Sequence, residues 1–152
     1  INVGDIIINT ASMRNEGTTR FYVDDGFPAV ADHFLTHALI QAGMELQNEK
    51  QFGFHIGLNA SDDAFYGETP KWIEMLSRHK LLNVEMESAA IFSIAHMRDL
   101  KAAMVCGVSA NLVGLRNSVD IDYEGENTAL INAWEDAISI ALEGIYRYET
   151  NK

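Results

Sequence analysis

Residues 81–90 read Leu81-Leu82-Asn83-Val84-Glu85-Met86-Glu87-Ser88-Ala89-Ala90, and within this stretch the pattern changes from strand to helix without a linker. Up to Met86 the residues alternate between two faces, with Leu82, Val84 and Met86 on one and the polar Asn83 and Glu85 on the other. From Ser88 to about His96 the small and apolar residues predict a helix. A strand that leads directly into a helix is typical of α/β proteins.

The same alternation of strands and helices extends along the rest of the chain. Further strands are predicted at residues 5–10, 52–58 and 101–108, and further helices from Pro28 to about Leu46, from Pro70 over a short span, and at 128–148. Irregular structure is predicted at residues 13–26, apart from a strand-like Phe21-Tyr22-Val23, at the loop-like Asn59-Ala60-Ser61-Asp62-Asp63, and at 112–125. The expected fold is α/β, with a mixed, largely parallel sheet flanked by helices in a single domain, 1–152.

Composition excludes several classes of protein. The chain has 47% hydrophobic residues, which is typical of a globular domain, and a formal net charge of −11, which opposes binding to nucleic acid. No apolar run approaches the roughly 20 residues that span a bilayer, so no membrane partner is expected. The lone Cys106 lies in an apolar run, which predicts a small buried side chain and favours a reducing, cytoplasmic location. Because the chain lacks an initiating Met, we expect it to begin inside a longer product or to have been cut.

The carboxylates of Glu85 and Glu87 are the first candidate for chemistry. They lie where a strand ends and a helix begins, the edge at which α/β sheets bind ligands. An ionised carboxylate only accepts hydrogen bonds, so it suits the two adjacent hydroxyls of a sugar. The alternative is that Glu87 only complements the positive end of the helix dipole, which contributes less than about 1 kcal/mol.

Four segments in order carry a family resemblance. Val84-Glu85-Met86-Glu87-Ser88-Ala89 resembles the ribose-binding signature of the nucleoside phosphorylase superfamily, in the form found in uridine phosphorylases. The other three segments are Ile1-Asn2-Val3-Gly4-Asp5 with Thr10-Ala11-Ser12, Phe27-Pro28-Ala29-Val30-Ala31-Asp32, and Asp63-Ala64-Phe65-Tyr66. The resemblance covers nearly the whole chain. It implies the C-terminal part of a phosphorylase-type three-layer fold whose N-terminal part is missing.

The resemblance also implies roles for individual residues. Glu87 would be the catalytic residue and would hold the ribose 2′ and 3′ hydroxyls, with Met86 and Glu85 as further ribose contacts. Phe65 would lie against the base. Taken alone, Phe65 also fits a core aromatic and Met86 also fits core filling.

Two departures from the family concern the base. In the purine-specific branches an Asp follows Val-Ser and hydrogen-bonds the leaving purine, whereas here Val108-Ser109 is followed by Ala110. Because uridine phosphorylases have an apolar residue there, Ala110 favours a pyrimidine nucleoside. The Gln and Arg with which those enzymes read uracil are absent after Phe65, so Lys71 and Arg116 are the candidate substitutes. Arg116 also fits a solvated loop charge.

The resemblance implies reversible phosphorolysis of a nucleoside, with uridine favoured, to ribose 1-phosphate and free base. Phosphate would be the co-substrate, without other cofactors, and the protein would be a homo-oligomer, a hexamer or a dimer. The family's phosphate loop precedes Ile1, so no phosphate-binding residue is expected in this chain, and the chain alone is expected to be inactive. The alternatives are a purine or methylthioadenosine-type phosphorylase, a nucleosidase, and a non-catalytic nucleoside-binding relative.

Metal and acyl-transfer chemistry find no support in the sequence. His33 and His37 are four residues apart, but Phe34 occupies the position of the glutamate of zinc proteases. The segment Asp120–Gly125 resembles the start of a calcium loop, yet its twelfth position is Ile131 where a bidentate Glu is required. No Gly-x-Ser-x-Gly occurs, so no metal site and no serine nucleophile are predicted.

Overall fold

The computed structural model describes residues 1–113 and 127–150. Within these residues the chain forms five strands and four α-helices. The strands are β1 (Ile6–Asn15), β2 (Ala29–Val30), β3 (Phe54–Asp62), β4 (Asn83–Glu85) and β5 (Met104–Gly107). The helices are α1 (His33–Lys50), α2 (Pro70–Arg78), α3 (Ser88–Met97) and α4 (Asn127–Thr150). Short 3-10 turns lie at Thr19–Phe21 and Phe65–Gly67.

The strands form one mixed sheet whose central part is parallel. β1 pairs in parallel with β3, and β3 pairs in parallel with β4. The other edge of β1 is shared by β5, which pairs antiparallel with Ile6–Asn9, and by β2, which pairs antiparallel at Ala11 and Ser12. The sheet confirms the expected α/β class, and it brings the carboxyl ends of β1, β3 and β4 to one edge.

Helices cover both faces of the sheet. On one face Ile6 and Ile8 of β1 pack with Leu39 of α1 and Ile140 of α4 in a buried cluster. The second cluster combines Ala29 and Ala31 with Ala89 and Phe92 of α3. Val105 packs against the first cluster and its neighbour Met104 against the second, and successive strand residues point to opposite faces. α3 therefore lies on the opposite face from α1 and α4.

The N-terminus of α1 differs from the prediction. Pro28 precedes β2, and the helix begins only at His33. The physical reason is Asp32, whose Oδ1 accepts a 2.9 Å hydrogen bond from the N–H of Leu35 and so caps the helix.

The predicted strand at residues 21–23 is also wrong. Glu16 accepts hydrogen bonds from the N–H groups of Thr18 (2.5 Å) and Thr19 (2.9 Å), and these bonds fold the segment into the 3-10 turn Thr19–Phe21. β1 runs on to Asn15, into the stretch expected to be irregular, because it pairs with β3 over its whole length.

The loop predicted at residues 59–63 is wrong as well, because β3 continues to Asp62 and its Asn59 and Ser61 are fully buried. The predicted strands at 81–86 and 101–108 are shorter than expected. Among the described residues no helix combines the length and the apolar character needed to cross a membrane.

Candidate active site

A cavity of about 460 Å³ lies beside β4, a volume within the usual range of small-molecule sites. Its walls come from the turn after β3, one side of α2, the segment through β4 to the start of α3, and the segment that follows β5. The residues of β4 and its flanks that line it are Leu81, Leu82, Asn83, Val84, Glu85, Met86 and Glu87. Residues 81–87 of the strand-to-helix junction thus form one wall of the cavity.

Most of the predicted site residues line this cavity. Glu87, Met86 and Glu85 lie on one wall, Phe65 lies in the turn after β3, and Ala110 follows β5. Glu85, Met86 and Glu87 come from the end of β4 and Phe65 from the turn after β3, two parallel strands that end at the same edge, whereas Ala110 follows the antiparallel β5. The chain therefore combines a carboxylate and an aromatic ring in one pocket.

The two cationic candidates are placed differently. Lys71 is exposed in the first turn of α2 and does not line the cavity. Arg116 lies outside the described residues, as do most of the predicted irregular stretch 112–125 and the excluded calcium loop.

The Glu85 carboxylate makes five hydrogen bonds within the chain. Its Oε1 accepts from Asn59 Nδ2 at 2.7 Å, from Ser61 Oγ at 2.5 Å and from Ser88 Oγ at 2.6 Å. Its Oε2 accepts from the backbone N–H groups of Glu87 at 2.8 Å and Ser88 at 2.6 Å. All five donors are neutral groups, and the three donor side chains belong to fully buried residues. Glu85 therefore joins β3, β4 and the start of α3.

Glu87 has a different environment. It is the N-cap residue of α3, but its side chain makes no capping hydrogen bond to the helix. Its carboxylate is exposed and accepts a 3.1 Å hydrogen bond from the N–H of Met86 through Oε2. The carboxylate thus lies at the positive end of the helix dipole and on the cavity wall at once.

A row of polar side chains, one of them buried and two partly buried, crosses the sheet next to this wall. Asn9 donates a 2.7 Å hydrogen bond to Asn83 Oδ1, and the Cys106 thiol donates to Asn9 Oδ1 at 3.4 Å. Cys106 is only partly buried and lines the cavity, whereas the sequence predicted a buried side chain. Burial and then the charge of Glu85 raise the pKa of its thiol to about 12. Cys106 is therefore a neutral thiol at physiological pH.

Sequence reasoning missed several residues at this site. Asn59, Ser61 and Ser88 hold Glu85, and Glu68 is 4% exposed and lines the cavity. The signal for two of them was present, because Gly57-Leu58-Asn59-Ala60-Ser61 alternates polar with apolar residues as a strand does. Ser88 lies within the segment that resembles the ribose-binding signature but was given no role, and nothing in the sequence pointed to Glu68 as a site residue.

The cavity is acidic. Its charged side chains are Glu68, Glu85 and Glu87, and no Lys, Arg or His is among the described residues that line it. Such a lining favours positive charge and opposes the binding of an anion. Within residues 1–113 and 127–150 no cluster of three or more His, Cys, Asp or Glu is placed to hold a metal ion.

Two arginines in the predicted irregular stretch 13–26, Arg14 and Arg20, lie outside this cavity. Arg14 donates hydrogen bonds to Thr19 Oγ1 at 3.0 Å and to the backbone carbonyls of Asp24 at 2.8 Å and Phe27 at 2.6 Å. Arg14 is therefore a structural residue that holds the segment before β2. Arg20 lines a second, wide-open cavity of about 490 Å³ beside the 3-10 turn.

Comparisons with known proteins show what the chain is similar to. Guanosine phosphorylase from Halorubrum lacusprofundi is 34% identical over 95% of the chain, and uridine phosphorylase from Thermococcus kodakarensis is 36% identical over 94%. The chain spans 58% and 53% of the lengths of these two relatives. A crystal structure of purine nucleoside phosphorylase from Toxoplasma gondii in complex with immucillin-H has the same fold. Its TM-score is 0.80 at 21% identity, covering all of this chain and 59% of that one.

The family assignment rests on a match that runs along almost the entire chain. The model of the family described as the phosphorylase superfamily matches residues 1–143. This match includes the whole cavity wall of residues 81–87 and the turn that carries Phe65, so it covers the candidate site as well as the fold. The chain belongs to the phosphorylase superfamily.

Proposed function

We propose that the complete protein catalyses the reversible phosphorolysis of a nucleoside, with uridine favoured, to ribose 1-phosphate and free base. The observation that carries this proposal is that the exposed Glu87 carboxylate and the Phe65 ring line one cavity of suitable size. Membership of the phosphorylase superfamily supports the reaction class.

Glu87 holds the sugar in this proposal. A carboxylate that only accepts hydrogen bonds can bind the ribose 2′ and 3′ hydroxyls together, while Met86, which is 42% exposed beside it, packs against the ring. Positive charge builds up on the ribose as the base departs, as it does in glycoside cleavage. A fixed carboxylate stabilises that charge in the transition state more than in the bound nucleoside, which is the requirement for catalysis.

Phe65 and Ala110 define the base end of the cavity. The Phe65 ring offers a surface on which a flat heterocycle can stack. Ala110 has no proton to donate to a departing purine, which supports a pyrimidine substrate. Since Lys71 lies outside the cavity, Arg116 is the cation we retain as a candidate to read the base.

Phosphate is the co-substrate in this proposal and attacks C1′ of the ribose. None of the described residues that line the cavity has a basic side chain. The groups that bind phosphate therefore come from other residues. We expect them from the remainder of the complete protein or from a neighbouring subunit of a homo-oligomer, a hexamer or a dimer, in the cytoplasm. No metal or organic cofactor takes part.

A second candidate is phosphorolysis of a purine nucleoside. One observation favours it: the relative that is 34% identical over 95% of the chain is a guanosine phosphorylase. In addition, Glu68 brings a carboxylate to the cavity that contains Phe65, and a carboxylate can accept hydrogen bonds from the N–H groups of guanine.

The test is turnover by the complete protein of uridine, guanosine, inosine and adenosine, each with and without phosphate. The proposal expects uracil release that requires phosphate and exceeds release of any purine. Faster release of guanine would select the second candidate. Release without phosphate would identify a nucleosidase, and tight nucleoside binding without any cleavage would identify a binding protein.

A further inference from the structure

The environment of Glu85 separates it from Glu87, although both were predicted to contact the sugar. A carboxylate offers about four lone-pair sites, and Glu85 already accepts five hydrogen bonds from Asn59, Ser61, Ser88 and the N–H of Glu87. A sugar hydroxyl could bind Glu85 only by displacing one of these donors. Glu85 is therefore saturated before any ligand arrives.

We propose that Glu85 is a positioning residue that holds Glu87 in place for the reaction, and not a ligand of the sugar. This inference rests on the proposed function and assigns Glu85 a separate task within it. The Oε2 atom accepts from the N–H of Glu87 and of Ser88, so it fixes the main chain from which the Glu87 side chain extends. The Oε1 atom ties the same carboxylate to Asn59 and Ser61 on β3.

The connection to β3 also fixes the sugar end of the cavity relative to the base end. Ser61 is the second-last residue of β3, which ends at Asp62, and Phe65 lies three residues beyond that end. Ser61 accepts a 2.8 Å hydrogen bond from the N–H of Ala89 in α3 and shares a 3.1 Å bond with Ser12 of β1. One buried network therefore sets the position of Glu87 relative to Phe65.

Small displacements matter at such a site. A catalytic group that is misplaced by about 1 Å can reduce turnover by up to about 100-fold. Hydrogen bonds to an ionised group are also stronger than those between neutral groups, so losing one weakens the support noticeably. Removing a donor to Glu85 should therefore lower turnover even though the donor itself does not line the cavity.

The variant Ser61→Ala in the complete protein tests this inference, because Ser61 is fully buried and does not line the cavity. We expect kcat/KM for the ribonucleoside to fall about tenfold, through kcat more than KM. The loss for the matching 2′-deoxyribonucleoside should be smaller, because that substrate makes only part of the Glu87 contact. Ser93→Ala is the matched control, since Ser93 is also fully buried and its Oγ has no hydrogen-bond partner among the described residues.

Two outcomes overturn the inference. One is Ser61→Ala activity within twofold of wild type, and the other is an equal loss in Ser93→Ala, which would show general sensitivity of packing. Wild-type protein that cleaves no nucleoside would instead refute the proposed function itself, so the two failures can be told apart.

If Ser61→Ala does not fold, the variants Glu85→Gln and Glu87→Ala, made singly and together, test the inference instead. Glu85→Gln retains shape but loses the charge and half of the acceptor capacity. If Glu85 acts only through Glu87, Glu85→Gln alone should lower kcat/KM strongly. In the double variant with Glu87→Ala, it should lower kcat/KM less than twofold beyond the loss that Glu87→Ala causes by itself. A full additional loss in the double variant would show direct contact with substrate and overturn the inference.

Discussion

The backbone N–H of Glu87 donates a 2.8 Å hydrogen bond to Glu85 Oε2, so one carboxylate holds the main chain of the other. The two residues are separated only by Met86, yet Glu85 bonds to buried side chains while the Glu87 carboxylate is exposed on the cavity wall. The paired glutamates of the family signature thus have different surroundings, and this difference leads to different predictions for their substitution.

Glu87→Ala in the complete protein should reduce kcat/KM for nucleoside phosphorolysis by about 100-fold or more, because both acceptors for the sugar hydroxyls are lost. Glu87→Gln should be milder, since one carbonyl oxygen remains as an acceptor. The measurement is steady-state phosphorolysis, with circular dichroism to confirm folding. Full activity in Glu87→Ala would refute the ribose role.

Phe65→Ala should weaken nucleoside affinity with little change in thermal stability, because the ring lines a cavity and is only partly buried. Stacking of a base on an aromatic ring contributes about 1–3 kcal/mol, so Kd should rise by roughly tenfold or more. The matched control is Phe34→Ala, since Phe34 is 70% exposed and does not line the cavity. Loss of folding in Phe65→Ala would instead assign the ring to the core.

The parts of the fold that could be predicted depend on local patterns. The isoleucines at 6–8 indicated a buried strand, and the alternation at 82–86 followed by small residues indicated a strand that leads into a helix. These patterns involve only residues that are close together in the sequence, so they can be recognised without knowledge of the tertiary structure. The cavity wall could be located for the same reason.

The parts that could not be predicted depend on contacts between distant residues. Asn59 and Ser61 have the composition of a loop, but they lie in a strand because their side chains bond to Glu85, more than twenty positions further along the chain. Similarly, Pro28 carries a helix-start signal that Asp32 overrides by capping the helix later. Such contacts, and not the sequence pattern, determine that the Glu85 carboxylate is hydrogen-bonded within the chain while the Glu87 carboxylate is exposed on the cavity wall.

Cys106 should react slowly with iodoacetamide in the native protein. Its thiol pKa of about 12 leaves a thiolate fraction on the order of 10⁻⁴ at pH 8, against about a quarter for an ordinary thiol. We therefore expect alkylation roughly 1,000-fold slower than in denaturant, measured by peptide mass spectrometry of the Cys106 peptide. Rapid labelling of the native protein would contradict the neutral thiol beside Glu85.

Asp32→Ala should destabilise the protein through loss of the α1 cap. Asp32 accepts a hydrogen bond from the N–H of Leu35 and lies 3.1 Å from Lys101 Nζ, and despite burial these contacts lower the pKa of its carboxyl. Replacing an Asp cap by Ala costs about 0.5–2 kcal/mol of unfolding free energy. Asp32→Asn keeps the cap and loses only the ion pair to Lys101, whose side chain is half exposed, so its cost should be under about 1 kcal/mol. Equal Tm values for Asp32→Ala and wild type in thermal denaturation would contradict the capping role.

Asp5 should make stability depend on pH in the acid range. Its side chain joins the starts of β1 and β3, because Oδ2 accepts from the N–H of Asn2 at 2.8 Å and lies 2.8 Å from His55 Nε2. Asp5 is buried, which acts to raise the pKa of its carboxyl, but the bonds from Asn2 and His55 outweigh burial and lower it. The folded state thus holds the proton less tightly than the unfolded chain, in which an Asp has a pKa of about 3.9.

The sign of the pH effect follows from that difference. The stabilisation by ionised Asp5 is fully present above about pH 4 to 5 and is lost as the pH falls through the lower pKa of the folded state. Asp5→Asn should therefore lower the unfolding free energy at pH 7 by about 1–3 kcal/mol, and its difference from wild type should shrink as the pH falls below about 4. Urea denaturation at a series of pH values measures this, with Asp25→Asn, an exposed aspartate, as the control. A difference between Asp5→Asn and wild type that stays constant from pH 7 to pH 3 would show that the ionised carboxylate is not what holds the two strands together.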